Sequence, residues 1–193
     1  MQFEHENNLV KTSLYKHRQQ AGDFMLTLVI ALIVVAVIVG KAFLNYRDTS
    51  RKEENNAVAS AITIIAGDLR KNFGMNNEYG SLTTAIAVKS GAIPRNFRDG
   101  TADTASNMWG GTVTVAPATI TVDNDVANLA FTKVPSAQCY DIVSATQALA
   151  RRITVGSSTA KAADATLNAA TLATACESAT DVTITWAIGR SGT

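Results

Sequence analysis

A chain of 193 residues with 47% hydrophobic side chains is large enough for one globular domain with a true core plus an appendage, and too apolar for a disordered segment. Its 17 Lys+Arg and 16 Asp+Glu give a formal net charge of +1, which argues against recognition of nucleic acid through a phosphate-neutralising surface. Both histidines, His5 and His17, precede residue 22, so the remainder lacks the commonest general base and metal ligand.

The first 22 residues carry Lys11, Lys16 and Arg18 against Glu4 and Glu6, leaving the rest of the chain electrically balanced. An uncharged run from Phe24 to Val39 follows, and its extension to Leu44 spans roughly 31 Å as a helix, enough to cross a bilayer. Lys41 sits near one end, where its alkyl stem can lie along the helix while the ammonium reaches the interface. A secretory signal would end in a small-residue cleavage site, whereas Asn45, Tyr46, Arg47 and Asp48 come next, so the segment is expected to be retained. Basic residues flank it on both sides, so positive-inside counting assigns no orientation.

A mixed charged collar, Arg47, Asp48, Arg51, Lys52, Glu53 and Glu54, reads as a solvated face. Beyond it Val58, Ile62, Ile65, Leu69 and Phe73 recur at steps of four, three, four and four, with Ala61 alongside, while Asn56, Ser60, Thr63, Arg70 and Lys71 fall on other faces. The spacing predicts a long helix whose first half is apolar all round and whose second half has one apolar stripe for docking on a head. Gly40 and Gly67 each weaken such a helix by about 1 kcal/mol relative to Ala and could mark bends.

From "FGMNNEYGS" onward, glycines and prolines punctuate short segments. "TVTVAPATITV" (112–122) reads as two strands around Pro117, "FTKV" (131–134) as a weaker strand, and "DVTITWAI" (181–188) as the clearest one, with Val182, Ile184 and Trp186 on one face. Helices are expected over 136–153, with Ser136 as cap, and over 164–176; "GSSTAKAAD" (156–164) is expected to be an exposed loop. The elements predict an α+β head with an antiparallel sheet that receives the long helix on one face. Trp109 and Trp186 read as head core.

Cys139 and Cys176 are the only cysteines and show no metal-ligand spacing. In an oxidising compartment they would close a loop of roughly 37 residues, contributing about 3 to 4 kcal/mol; the alternative is two unrelated buried thiols. No GxSxG or phosphate-binding loop is present, and Asp123 and Asp125 read as turn residues rather than a catalytic pair or a calcium loop. No cofactor or metal is expected, and an anchored enzyme is a remote reading.

A short basic leader ending at Gly22, a retained apolar helix, an amphipathic continuation and an α+β head with one C-terminal cysteine pair together resemble type IV pilins. The resemblance is closer to the type IVb branch, which includes bundle-forming pilins and the thin-pilus pilins of conjugative plasmids. "YGSLTTAIAVKSGAIPRNFRDG" (79–100) is similar to that branch's segment with Ile-Pro followed by Asn and an aromatic; "NMWGGTVTV" (107–115) is similar to its Gly-Gly turn entering a strand; "TLATAC" (171–176) is similar to its ending.

This resemblance implies a leader over 1–22, an N-terminal helix over 23–75 with residues 23–44 hydrophobic, and a globular head over 76–193 with the disulfide Cys139–Cys176. It implies cleavage by a prepilin peptidase between Gly22 and Asp23, and methylation of the new Asp23 amine. Phe24, Leu26, Thr27, Leu28, Ile30, Leu32 and Ile33 would line a filament core. The chain would then be a subunit, major rather than minor, of an extracellular pilus for adhesion, aggregation or conjugative mating, and not an enzyme. Its partners would be its own copies in a helical filament, the inner membrane before assembly, and the assembly ATPase, platform and secretin. Two positions depart from the family pattern: the first mature residue is Asp23 rather than an apolar one, and the fifth is Thr27 rather than Glu. Asp23 is expected to neutralise its own or an adjacent amine in place of that glutamate. The other readings are a minor pilin or secretion-system pseudopilin, and a single-pass membrane protein with a periplasmic binding domain.

Overall fold

The structure, a computed structural model, describes residues 3–74, 78–100 and 102–189; side chains are described from Met25 onward, apart from Asn45, Asp48 and Glu78. The chain forms two compact units, Met1–Ser50 and Arg51–Thr193. Helix α1 (Phe3–Phe73) runs through both, so the residues from Arg51 to Phe73 belong to the same unit as the sheet, here called the head. Neither Gly40 nor Gly67 interrupts it.

The head adds α2 (Thr84–Lys89), β1 (Val113–Ala118), β2 (Val126–Pro135), α3 (Ser136–Thr146), β3 (Arg152–Val155), β4 (Ser158–Lys161), α4 (Ala169–Cys176) and β5 (Asp181–Gly189). The sheet order is β1-β2-β5-β3-β4, and every pairing is antiparallel. The register aligns apolar side chains in rows across it. Val115, Leu129, Trp186 and Ile153 form one row, and Val113, Phe131, Ile184 and Val155 the next; all eight are buried. Trp186 meets the Phe131 ring edge-on at 5.7 Å, and its indole N–H donates to the buried Thr146 hydroxyl at 3.0 Å, so its polar end is satisfied inside the core. Val58, Ile62, Ile65 and Leu69 of α1 have no exposed surface and share one hydrophobic core with these strands.

Several expected boundaries move, each for a local physical reason. The stretch 112–122 forms one strand rather than two. Pro117 fits within β1 because β1 is an edge strand, and residues after Ala118 turn instead of pairing: the Asp125 carboxylate accepts the Ile120 N–H at 2.7 Å and the Thr121 N–H at 2.9 Å. "FTKV" is part of the ten-residue β2, which bulges between Phe131 and Val134 with Lys133 at φ 55°. Helix α3 ends at Thr146 and passes through a 3-10 turn (Gln147–Leu149) into β3; its cap position is Pro135, and Ser136 is the first helical residue. The expected exposed loop at 156–164 contains β4, which pairs with β3 around Gly156 at φ 57°. Helix α4 begins at Ala169 rather than near 164, because Asp164 adopts φ 57° and Asn168 caps the helix by accepting the Thr171 N–H at 3.0 Å. The six-residue α2, capped by Thr83, is too short for a helical period to show in the sequence.

Candidate functional site: the apolar helix and its mooring

The apolar segment stands out by exposure. Fourteen large hydrophobic side chains between Met25 and Leu44 are each 43% to 66% exposed, among them Leu26, Leu28, Ile30, Leu32 and Ile33. Thr27 lies on the same exposed stretch. The segment is long and apolar enough to cross a membrane, and none of its most apolar window is buried within the chain. An ordinary core helix of this hydropathy would be covered. Gly22, Asp23 and Phe24 lie in α1 but outside the residues whose side chains are described, so the expected cleavage bond and the Asp23 carboxylate are not placed.

The mooring of α1 in the head is built from both apolar and polar contacts. Besides Val58, Ile62, Ile65 and Leu69, Phe73 packs half-buried against the core. Arg70, expected on an outward face, is turned toward the head instead. Its Nε donates to the Gly189 carbonyl at 3.1 Å and its Nη2 to the Leu149 carbonyl, which ties α1 to the ends of β5 and the 3-10 turn. Two amide–carboxylate pairs brace α1 against α3: Asn55 Nδ2 donates to Asp141 at 3.3 Å, and Gln138 Nε2 donates to Glu54 at 2.8 Å. Sequence reasoning missed the buried Asn55, although it lies three residues before Val58 and so on the same stripe.

Cys139 of α3 and Cys176 of α4 are joined in a disulfide with Cα atoms 5.6 Å apart, both buried. The cross-link fastens the two helices on either side of the β3–β4 hairpin and contributes about 3 to 4 kcal/mol by restricting the unfolded chain.

The head's main ionic lock was not legible in the sequence. Arg151, 9% exposed, donates from Nη1 to Asp125 at 3.0 Å and from Nη2 to Asp164 at 2.7 Å and to the Thr121 hydroxyl at 3.0 Å. Burial penalises the Asp125 carboxylate, but the N–H groups of Ile120, Thr121 and Val122 together with Arg151 outweigh that cost and hold it below its ordinary 3.8. Asp164 is likewise held below the ordinary value, chiefly by its hydrogen bond to Arg151. The lock fastens the β1–β2 turn to the loop before α4. Asp125 is thus a structural anchor, while Asp123 stays exposed. No group of His, Cys, Asp and Glu suited to a metal ion occurs among the described residues.

The turn at "NMWGG" is organised by Asn107. Its Oδ1 accepts the Trp109 and Gly111 N–H groups at 3.1 and 2.9 Å, and its Nδ2 donates to the Thr132 carbonyl at 2.7 Å. Gly111 is required there, since a Cβ would lie 2.0 Å from the Thr132 oxygen.

Comparison with known proteins agrees with this architecture. The family model described as PilS N terminal matches residues 52–189, more than half of the chain. The chain is similar to TcpA, a type IV pilin from Vibrio cholerae El Tor biotype, with TM-score 0.54 and 10% identity over 70% of this chain and 98% of that one. It is also similar to a type IV b pilin from Salmonella typhi, with TM-score 0.44 and 22% identity over 55% of this chain and 78% of that one. A comparison with curated proteins gives no match. The fold is therefore the α+β type IV pilin fold, a long N-terminal helix with an antiparallel five-stranded sheet and a C-terminal disulfide, and the chain belongs to the PilS family of type IV pilins.

Proposed function

We propose that this chain is the major subunit of a type IVb pilus, held first in the inner membrane by residues 23–44 and then polymerised through them into an extracellular filament. The observation that supports it most directly is the exposed apolar surface from Met25 to Leu44 on the helix whose next turns build the head's core. Lipid covers such a surface at no hydrophobic cost, and water does not. At about 1.5 to 3 kcal/mol per large side chain, sheltering it among copies of itself stabilises the filament by on the order of tens of kcal/mol relative to exposure.

In this reading a prepilin peptidase removes residues 1–22 between Gly22 and Asp23, the Asp23 amine is methylated, and an ATPase, platform protein and secretin extract and export the subunit. Residues 23–75 then serve as the assembly helix and 76–193 as the displayed head. Thr27 cannot act as a buried counter-ion, so the Asp23 carboxylate neutralises its own amine or that of a neighbour. The bulk burial of the helix dwarfs any one ion pair, so the substitution alters registration or addition rate more than filament stability.

The test is intact mass and N-terminal sequencing of the protein from membranes and from sheared surface material. Sheared polymer whose subunits begin at Asp23 is the expected result. A chain that begins at Met1 and stays with the membrane would instead identify a single-pass protein, and a low copy number along the fibre would identify a minor pilin. If Asp23→Asn assembles as well as the parent, the proposed role of the Asp23 carboxylate is wrong.

A further inference from the structure

A polar cleft of about 280 Å³ opens in the head between α1, the segment leading into β3, and β4. Three cationic side chains line it, Arg70, Arg151 and Lys161, against one acidic residue, Asp164. The second carboxylate in contact with this group, Asp125, is buried behind Arg151, so among the described residues two negative charges face three positive ones.

The partners of each cation show where the surplus lies. Arg151 is engaged by both aspartates and by Thr121. Among the described residues Arg70 and Lys161 hydrogen-bond only to neutral carbonyl oxygens: Gly189 and Leu149 for Arg70, Gln147 and Ala150 for Lys161, the last two at 2.7 Å each. Carbonyls satisfy N–H donors but do not cancel charge. Arg70 Nη1 has no partner among the described residues, and an ammonium has three N–H groups, of which Lys161 commits two. Burial also makes the Lys161 charge costly, lowering its proton affinity from the ordinary 10.5, with Asp164 opposing the effect in part.

We propose that this cleft binds a compact oxyanion, a phosphate, sulfate or carboxylate group held between Arg70 Nη1 and Lys161 Nζ with Arg151 behind it. Charge-assisted bonds to such an anion use the uncommitted donors and cancel the surplus charge. The same chemistry is offered by a free anion of the medium and by an acidic side chain of a second copy in a fibre.

The test uses the full chain in non-ionic detergent, titrated with inorganic phosphate against chloride at matched ionic strength. The readouts are thermal unfolding and the side-chain N–H resonances of the arginines. Saturable binding that raises the unfolding midpoint and shifts the Arg70 resonance is expected. Lys161→Gln and Arg70→Gln should each weaken it at least about tenfold, equal to about 1.4 kcal/mol. Lys89→Gln, at the exposed pair with Asp103, should leave it unchanged. Circular dichroism checks that each variant is folded, and either of the two cleft variants suffices. Absence of saturation, or equal curves for Lys161→Gln and Lys89→Gln, overturns the proposal. Because this arm needs no polymer, it stands or fails separately from filament assembly. Loss of phosphate binding in sheared fibres, with binding kept in detergent, would identify a neighbouring copy's acidic side chain as the anion; equal binding in both would identify a free ion.

Discussion

Residues 25–44 and residues 55–73 lie on the same helix and use the same aliphatic side chains, yet the first stretch is exposed on every side and the second is buried along one stripe. The difference comes from how polar residues are distributed around the helix. Asn56, Ser60, Thr63 and Lys71 give the second stretch a face for water, so one apolar stripe is enough and one head can cover it. The first stretch has no such face. A covering from one side would leave most of it wet, so it needs a surrounding apolar medium, whether lipid or, in the proposed filament, other copies of itself.

Substitutions in matched pairs sharpen this contrast. The largest effect is expected from placing a carboxylate in each stretch. Ile62→Asp buries an uncompensated charge in the head core, several kcal/mol, and should leave no cooperatively folded head by circular dichroism. Ile33→Asp should keep the head folded and instead cost about 2.5 to 3.5 kcal/mol of membrane insertion, read as loss from the membrane fraction. Truncation is gentler. Leu69→Ala should destabilise the head by about 2 to 5 kcal/mol in denaturant titration, and Leu32→Ala should leave that midpoint in place.

Acid separates the stretches by a different route. Asp125 and Asp164 both have folded values below the ordinary 3.8, so their contribution is fully present above about pH 4 and is lost as the pH falls through their lowered values. Head stability should therefore drop below about pH 4, with a shallower dependence in Arg151→Gln, while the helicity of residues 25–44, which carry no carboxylate, should not follow it. A head whose acid sensitivity is the same with and without Arg151 would remove the lock from this account. The smallest effect is expected at the two helical glycines, both with open space where a Cβ would stand. Gly67→Ala should stabilise the head by about 0.5 to 1 kcal/mol, and Gly40→Ala should not move its unfolding midpoint at all.

Not all of the head was equally legible. β5 was readable because Val182, Ile184 and Trp186 alternate with Thr183 and Thr185, a period that only a strand can use. The stretch 119–122 has the same alternation and is a turn. Its backbone N–H groups are taken by Asp125, a residue whose role depends on Arg151, 26 positions away. The approach to α4 contains Ala162, Ala163, Ala165 and Leu167, which favour a helix, but Asp164 adopts a left-handed conformation while its carboxylate accepts from Arg151, and the helix begins only after Asn168. The helical phase of Arg70 lies off the apolar stripe, and a long side chain with a five-donor head can reach back to carbonyls that the phase alone does not reveal.

The sequence by itself determined the parts of this pilin that rest on local period and solvent preference: an all-round apolar helix, its striped continuation, the terminal strand and a cysteine pair in a chain without other thiols. Only the tertiary structure decided what depends on meetings between distant residues. These are the antiparallel order β1-β2-β5-β3-β4, the Asp125–Arg151–Asp164 lock, the amide braces between α1 and α3, and the cationic cleft. Periodicity reports which face a side chain takes on its own element. Which other element that face then meets is settled by packing, and packing is a property of the whole chain.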